Sequence, residues 1–200
     1  MNLEKILVID NLFDNKFIAK VEELFLSPVF KWELSQSLYT CPVDLTEKYK
    51  TKLKNLKEYI LFAHDFYKMT NGISYKKSTH AYIADEIIDK IKSNLKIVDN
   101  IKILRAKANF QTQFTGNNIS LHNTPHTDFI NYDHTVIIYY VNNSDGKTLF
   151  FDKDLNIVKE VEPKAGRLLI FDGDNLHTSS NPVKSKYRFV INIDIKKFYD

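Results

Sequence analysis

From about residue 101 onward the apolar period of this chain is two, and turn residues interrupt it at short, nearly regular intervals. The segments Ile101–Gln113, His134–Asn142, Thr148–Phe151, Ile157–Val161, Arg167–Phe171, His177–Ser180 and Tyr187–Ile195 read as strands. Between them stand Thr115-Gly116-Asn117-Asn118, Asn143-Ser144-Asp145-Gly146, Pro163-Lys164-Ala165-Gly166, Asp172-Gly173-Asp174-Asn175 and Asn181-Pro182. Many short strands at such spacing call for a β-sandwich or jelly roll. The last strand shows how the layers divide. Phe189, Ile191 and Ile193 share one face and suit a packed layer, whereas Arg188, Val190, Asn192 and Asp194 share the other. That second face is too polar for a dry core and suits a barrel interior that holds a ligand.

The first hundred residues have a different texture, helical in pattern, and read as a support region for a core over 101–200 within one domain of 200 residues. Lys5–Asp10 is a short strand, followed by a helix at about Lys16–Leu26 capped by Asp14 or Asn15. Phe30–Tyr39 reads as a further strand, and Trp32 as a core residue. The longest helix is expected over Thr46–Tyr67, because Tyr49, Leu53, Leu56, Ile60, Ala63 and Tyr67 recur at steps of four and three. Lys48, Lys50, Lys52, Lys54 and Lys57 load its polar side, as in a solvated helix face. A second helix over about Ala81–Leu95 would bury Ile83, Ile87, Ile88, Ile91 and Leu95.

The chemistry-bearing residues lie in the second half. His126-Thr127-Asp128 is an i, i+2 pair, which places both side chains on one side of an extended segment. His177 follows at the start of a strand, and Arg188 lies eleven residues beyond it. Two imidazoles and one carboxylate occupy one face of an octahedral ion and leave the other positions open, the donor set of non-haem Fe(II) oxygenases. Arg188 adds a planar, always-charged fork for a carboxylate, so a chelating diacid such as 2-oxoglutarate fits the set. Zinc is the competitor on ligand type, but a zinc hydrolase has no evident use for the arginine. A lone HxD also occurs in chains that bind nothing, and His64, His80, His122 and His134 could compose rival sets. His122 and His134 read as surface residues beside the metal loop.

Two further strands offer candidates. If Val136 and Ile138 face inward then Tyr140 does too, and its hydroxyl could join Arg188 on the same carboxylate; otherwise Tyr139 and Tyr140 are packing residues. Arg105, Lys107, Asn109, Gln111 and Gln113 share one side of their strand. Facing inward, Asn109 or Gln111 could bond the cosubstrate or the substrate; facing outward they are solvent groups.

His126-Thr127-Asp128, the run Ile138–Asn142, the segment Gly146–Phe151 and Pro163–Asp172 leading into His177 resemble the 2-oxoglutarate/iron(II)-dependent dioxygenase superfamily, in particular its prolyl 4-hydroxylase-like branch with small bacterial and phage members. The resemblance covers about residues 103–195. It implies a mainly β fold, a double-stranded β-helix (jelly roll) with N-terminal α-helices packed on the major sheet. It implies Fe(II) held by His126, Asp128 and His177, with Arg188 and Tyr140 on the distal carboxylate of 2-oxoglutarate, O2 as co-reactant and ascorbate as a support. The expected activity is hydroxylation of a prolyl or other peptidyl residue, or of a small molecule. Many prolyl hydroxylases carry Lys where Arg188 stands, and a frequent Gly-Gly pair is Asp145-Gly146-Lys147 here.

The totals exclude other classes. With 28 Lys and Arg against 25 Asp and Glu, the charge of +3 gives little support to a nucleic-acid role. No apolar run approaches a membrane span, and the start MNLEKILVID lacks the apolar core of a secretion signal. The single cysteine, Cys41, cannot form an internal disulfide and fits a reducing, cytoplasmic compartment. Abundant Lys, Asn, Ile, Phe and Tyr read as the bias of an AT-rich genome such as a virus's, and the compartment would then be the host cytoplasm. The alternatives to an oxygenase are a cupin-like module that holds a metal without catalysis, a zinc hydrolase, and a relative acting on nucleic acid.

Overall fold

In the computed structural model, residues 6–35, 61–95, 101–115, 122–130 and 132–196 are described. The strands are β1 (Leu7–Ile9), β2 (Glu33–Ser35), β3 (Leu61–Thr70), β4 (Ile73–Lys76), β5 (Ile103–Thr112), β6 (His134–Tyr140), β7 (Thr148–Phe151), β8 (Ile157–Val161), β9 (Leu168–Asp172), β10 (His177–Ser179) and β11 (Tyr187–Lys196). The α-helices are α1 (Asn15–Leu26) and α2 (Tyr82–Leu95). The major sheet runs β1-β9-β6-β11-β5-β3-β2, with β4 paired to β3, and the minor sheet runs β10-β7-β8; all the pairings are antiparallel.

Side-chain alternation divides the core as the last strand suggested. On the outer face of the major sheet, Phe189, Ile191, Ile193, Ala106, Ala108, Ile137 and Tyr139 pack against Phe17, Val21 and Phe25 of α1 and Ile83, Ala84, Ile87 and Ile91 of α2. Asp14 caps α1, its carboxylate accepting from Phe17 N at 2.8 Å. On the inner face, Val136, Ile138, Tyr140, Leu169, Phe171 and Val190 meet Phe150 of the minor sheet and Val161. Trp32 joins the outer layer as expected: half-buried, it stacks on Phe189 with ring centroids 5.5 Å apart.

The front of the chain departs from the helical reading. Residues 61–67 of the helix expected over Thr46–Tyr67 belong to β3, while 46–60, with their lysines, lie outside the described residues. The support region 1–100 therefore supplies β1–β4 as well as α1 and α2. Pairing with β5, in register Phe62↔Phe110, Ala63↔Asn109 and His64↔Ala108, outweighs the helical spacing of Ala63 and Tyr67. A local signal was present. Asn71-Gly72 joins β3 to β4 with both residues at positive φ, 51° and 74°, as a two-residue hairpin requires.

Candidate active site

A short segment that is almost a strand brings the first two candidate ligands into place. His126 N donates to His177 O at 2.9 Å and His177 N donates to His126 O at 3.0 Å, an isolated antiparallel bridge that lays residues 126–128 beside β10. Asn123 N donates to Ser179 O at 3.0 Å and anchors the same segment one turn earlier. The i, i+2 spacing then directs His126 and Asp128 to the side where His177 points.

His126, Asp128 and His177 each offer a ligand atom, and these atoms lie within 4.8 Å of one another. His177 Nε2 stands 3.4 Å from Asp128 Oδ2. Both imidazoles are turned by their backbone contacts. His126 Nδ1 is 3.0 Å from Thr124 O, and His177 Nδ1 is 3.0 Å from Asn175 O. Because a carbonyl only accepts, each Nδ1 carries its proton, and each Nε2 lone pair is left for a metal. Burial and the adjacent His177 push the His126 pKa down to about 3, so it is neutral, as a ligand must be. Burial opposes ionisation of Asp128, but the Arg105 guanidinium, with His177 and His126, holds its carboxyl well below the usual range. The donor set fits a divalent cation.

Behind Asp128 lies an ion pair that sequence reading did not identify. Arg105 Nη2 bonds Asp128 Oδ1, and its Nε donates to Asp194 Oδ2 at 2.7 Å. Asn192 Nδ2 adds a longer contact of 3.4 Å to each Asp128 oxygen. Burial, aided by the nearby Asp128 charge, raises Asp194 to about 6 although Arg105 pulls the other way. Arg105 thus holds one Asp128 oxygen and leaves Oδ2 facing His177. Strand alternation had put Asp194 on the inward side of β11 and had left the side of β5 that carries Arg105 open between pocket and solvent. Only their direct cross-strand register, Asp194↔Arg105, shows that they meet.

A small cavity of about 50 Å3 opens from the triad and is lined by Lys107, Asn109, Thr148, Arg188, Val190 and Asn192 among others. Arg188, 3% exposed, points along its wall. Its Nε donates to Gly146 O at 2.7 Å, Nη1 to Gln111 Oε1 at 2.9 Å and Nη2 to Thr148 Oγ1 at 3.1 Å, all uncharged acceptors. Tyr140 is fully buried behind Thr148, and its hydroxyl donates to Thr148 Oγ1 at 2.7 Å. Gln111, left open between pocket and solvent, is buried, and its Nε2 donates to Ser179 Oγ and Asn181 Oδ1 at 3.1 Å. Asn109 lines the cavity, and its buried Oδ1 has no hydrogen-bond partner among the described residues.

The departures from the family pattern have local functions. Asp145 accepts from the backbone N–H groups of Val183, Lys184 and Ser185 at 2.9–3.0 Å, tying down the turn that leads into β11. A Cβ on Gly146 would lie 2.9 Å from Arg188 Cδ and from Ser180 O, so only glycine lets the arginine pass.

The rival histidines are elsewhere. His64 and His80 sit among Phe30 and Phe66 near the β3–β4 hairpin. His122 is half-buried against Phe151. His134, expected at the surface, is 1% exposed, because its ring fills the space over Gly173 and meets Phe129 edge-on.

Comparisons with known proteins bear on the fold that carries these residues. Residues 112–195 match the family model of the 2OG-Fe(II) oxygenase superfamily. A 2OG-Fe(II) oxygenase family oxidoreductase from Burkholderia pseudomallei superposes with a TM-score of 0.67 at 10% identity, covering 97% of this chain and 86% of that one. A prolyl hydroxylase from Trichoplax adhaerens, solved with a hypoxia inducible factor oxygen degradation domain peptide fragment, gives 0.60 at 14% identity, covering 98% and 84%. A viral collagen prolyl hydroxylase from Paramecium Bursaria Chlorella virus-1 gives 0.53 at 13%, covering 96% and 95%. A search of curated proteins returns no match. Among the described residues no helix is long and apolar enough to cross a membrane.

Proposed function

We propose that the chain carries a 2OG-Fe(II) oxygenase domain of the double-stranded β-helix fold, in which His126, Asp128 and His177 hold Fe(II) while Arg188 holds the distal carboxylate of 2-oxoglutarate. The observation that carries the reading is the convergence of the triad and Arg188 on one cavity from separate elements. When bound, the iron with 2-oxoglutarate and dioxygen supplies an oxidant able to hydroxylate an unactivated C–H bond, with succinate and CO2 as coproducts.

The residues of this chain have separable tasks. Thr124 O and Asn175 O fix the ligand tautomers, and Arg105 fixes the rotamer of Asp128. Gln111, Gly146 O and Thr148 aim the Arg188 fork, and the Tyr140 hydroxyl orients Thr148. Thr148 and Tyr140 complete the distal carboxylate site, and Asn109 Nδ2 is a donor for the cosubstrate. Phe150, Phe171 and Val190 keep the inner wall apolar and water out. The apolar ring packing of Phe171 on His177, with centroids 4.8 Å apart, further restricts that ligand.

The substrate in this proposal is a prolyl or other peptidyl residue, supported by the fold shared with the two prolyl hydroxylases and by the open side of the cavity. The single cysteine supports a cytoplasmic setting, and ascorbate is the expected reductant for iron oxidised in unproductive cycles. The experiment is succinate production from 2-oxoglutarate by purified protein with Fe(II) and ascorbate, in air and under nitrogen. The expected result is slow, oxygen-dependent turnover without added substrate, lost in Asp128→Ala. Full turnover by that variant would refute the ligand assignment.

A further inference from the structure

Lys107 is the charged residue of the cavity that the machinery above does not use. It lies on the inward side of β5, between Arg105 and Asn109, and lines the cavity with the triad. Among the described residues its ammonium makes no hydrogen bond and no ion pair. The nearby acids are engaged. Asp65, directly across on β3 and so on the same side, is held by Lys77 Nζ at 2.9 Å. Asp128 and Asp194 are held by Arg105. Burial and the Arg105 charge depress the pKa of Lys107, partly offset by Asp128, Asp194 and Asp65, so the site already opposes an uncompensated cation.

Charge counting makes the same point. The charged side chains lining the cavity are Lys107, Arg188 and Asp128, while Arg105 and Asp194 neutralise each other behind it. These sum to one positive charge. A divalent ion and a dianionic cosubstrate cancel, so the loaded site keeps that charge, and the group with no partner is Lys107. A half-buried cation beside an open cavity is stabilised by an anion from outside the protein.

We propose that Lys107 is a specificity-determining residue that binds an anionic oxygen group, a carboxylate or phosphate, carried by the substrate, so that the enzyme acts on an anionic molecule or an acidic residue's neighbour in a peptide. The proposal rests on the functional reading above. It places the reacting carbon within a lysine's reach of an anionic group and favours acids over their amides.

The test uses the full chain loaded with Mn(II), which binds the same donors without turning over. 2-Oxoglutarate is titrated by calorimetry into the wild type, Lys107→Met and Lys107→Arg. Inorganic phosphate and acetate are then titrated at constant ionic strength, with and without saturating 2-oxoglutarate. The expected result is one 2-oxoglutarate affinity for all three proteins. Affinity for at least one of the two anions should be weaker in Lys107→Met by about tenfold or more and retained in Lys107→Arg. Unchanged anion affinity in Lys107→Met overturns the proposal. So does a loss confined to 2-oxoglutarate, which would assign Lys107 to the cosubstrate. Failure of the wild type to bind 2-oxoglutarate would refute the functional reading instead, and the titration without it still reports on Lys107. A melting curve for each variant shows that it is folded.

Discussion

Replacing Arg105 with methionine removes the cation shared by two buried carboxylates while keeping most of the side-chain volume. The side chains of Asp128 and Asp194 are 4% and 0% exposed, so neither can turn to water when the guanidinium goes. Removing one partner of a buried ion pair costs about 3–5 kcal/mol. Asp194 is already held up at about 6, so without Arg105 it takes a proton near neutral pH, which limits the loss to about 3 kcal/mol. For a chain of this size that is a fall in Tm of about 6–12 °C. Freed from Arg105, Asp128 can also rotate away from His177, and Mn(II) affinity should fall by about 10–100-fold. The assay is urea unfolding of the metal-free protein at pH 7.5, with Mn(II) titration of the folded variant. Arg105→Met/Asp194→Asn should recover part of the lost stability, because it removes the buried carboxyl that otherwise has to take up a proton. A loss under about 1 kcal/mol with unchanged Mn(II) affinity would refute the reasoning.

Further expectations follow from the same contacts. Arg188→Ala should raise the 2-oxoglutarate concentration needed for half-maximal succinate formation far more than it alters Mn(II) binding; equal cosubstrate dependence would reject its role. Gly146→Ala should act in the same direction at lower cost, since its Cβ displaces the Arg188 side chain; calorimetry with 2-oxoglutarate checks this. Asp194 has a pH signature of definite sign. Its folded pKa, about 6, lies above the ordinary 3.8, so the folded state binds more protons between these values. Its contribution is therefore most favourable below about pH 4 and declines until about pH 6. Unfolding free energies from pH 4 to 7 should show Asp194→Asn gaining on the wild type across that window, and a constant difference would contradict it.

What the sequence made legible followed local rules. Alternation along β11 separated the packed face from the polar one. The i, i+2 pair and its partner His177 named the three donors that meet, and Asp14 marked the start of α1. What it hid depended on register and volume. The spacing of Ala63 and Tyr67 suits a helix, and only pairing with β5 makes 61–70 a strand, although Asn71-Gly72 announced the hairpin. His134 looked like a surface residue because nothing local says that Gly173 leaves room for its ring. Arg105 and Asp194 are 89 positions apart, and their ion pair requires knowing that β5 and β11 lie side by side. The role of Gln111 was undecidable for the same reason, since its partner Arg188 is the cross-strand neighbour.

The most direct test is a crystal soaked with Mn(II) and 2-oxoglutarate without oxygen, measured at a wavelength where manganese scatters anomalously. The account requires a single strong peak about 2 Å from His126 Nε2, His177 Nε2 and an Asp128 oxygen, with the distal carboxylate of the diacid paired to Arg188. A manganese peak away from these three atoms, or a diacid whose far end does not reach Arg188, would contradict it.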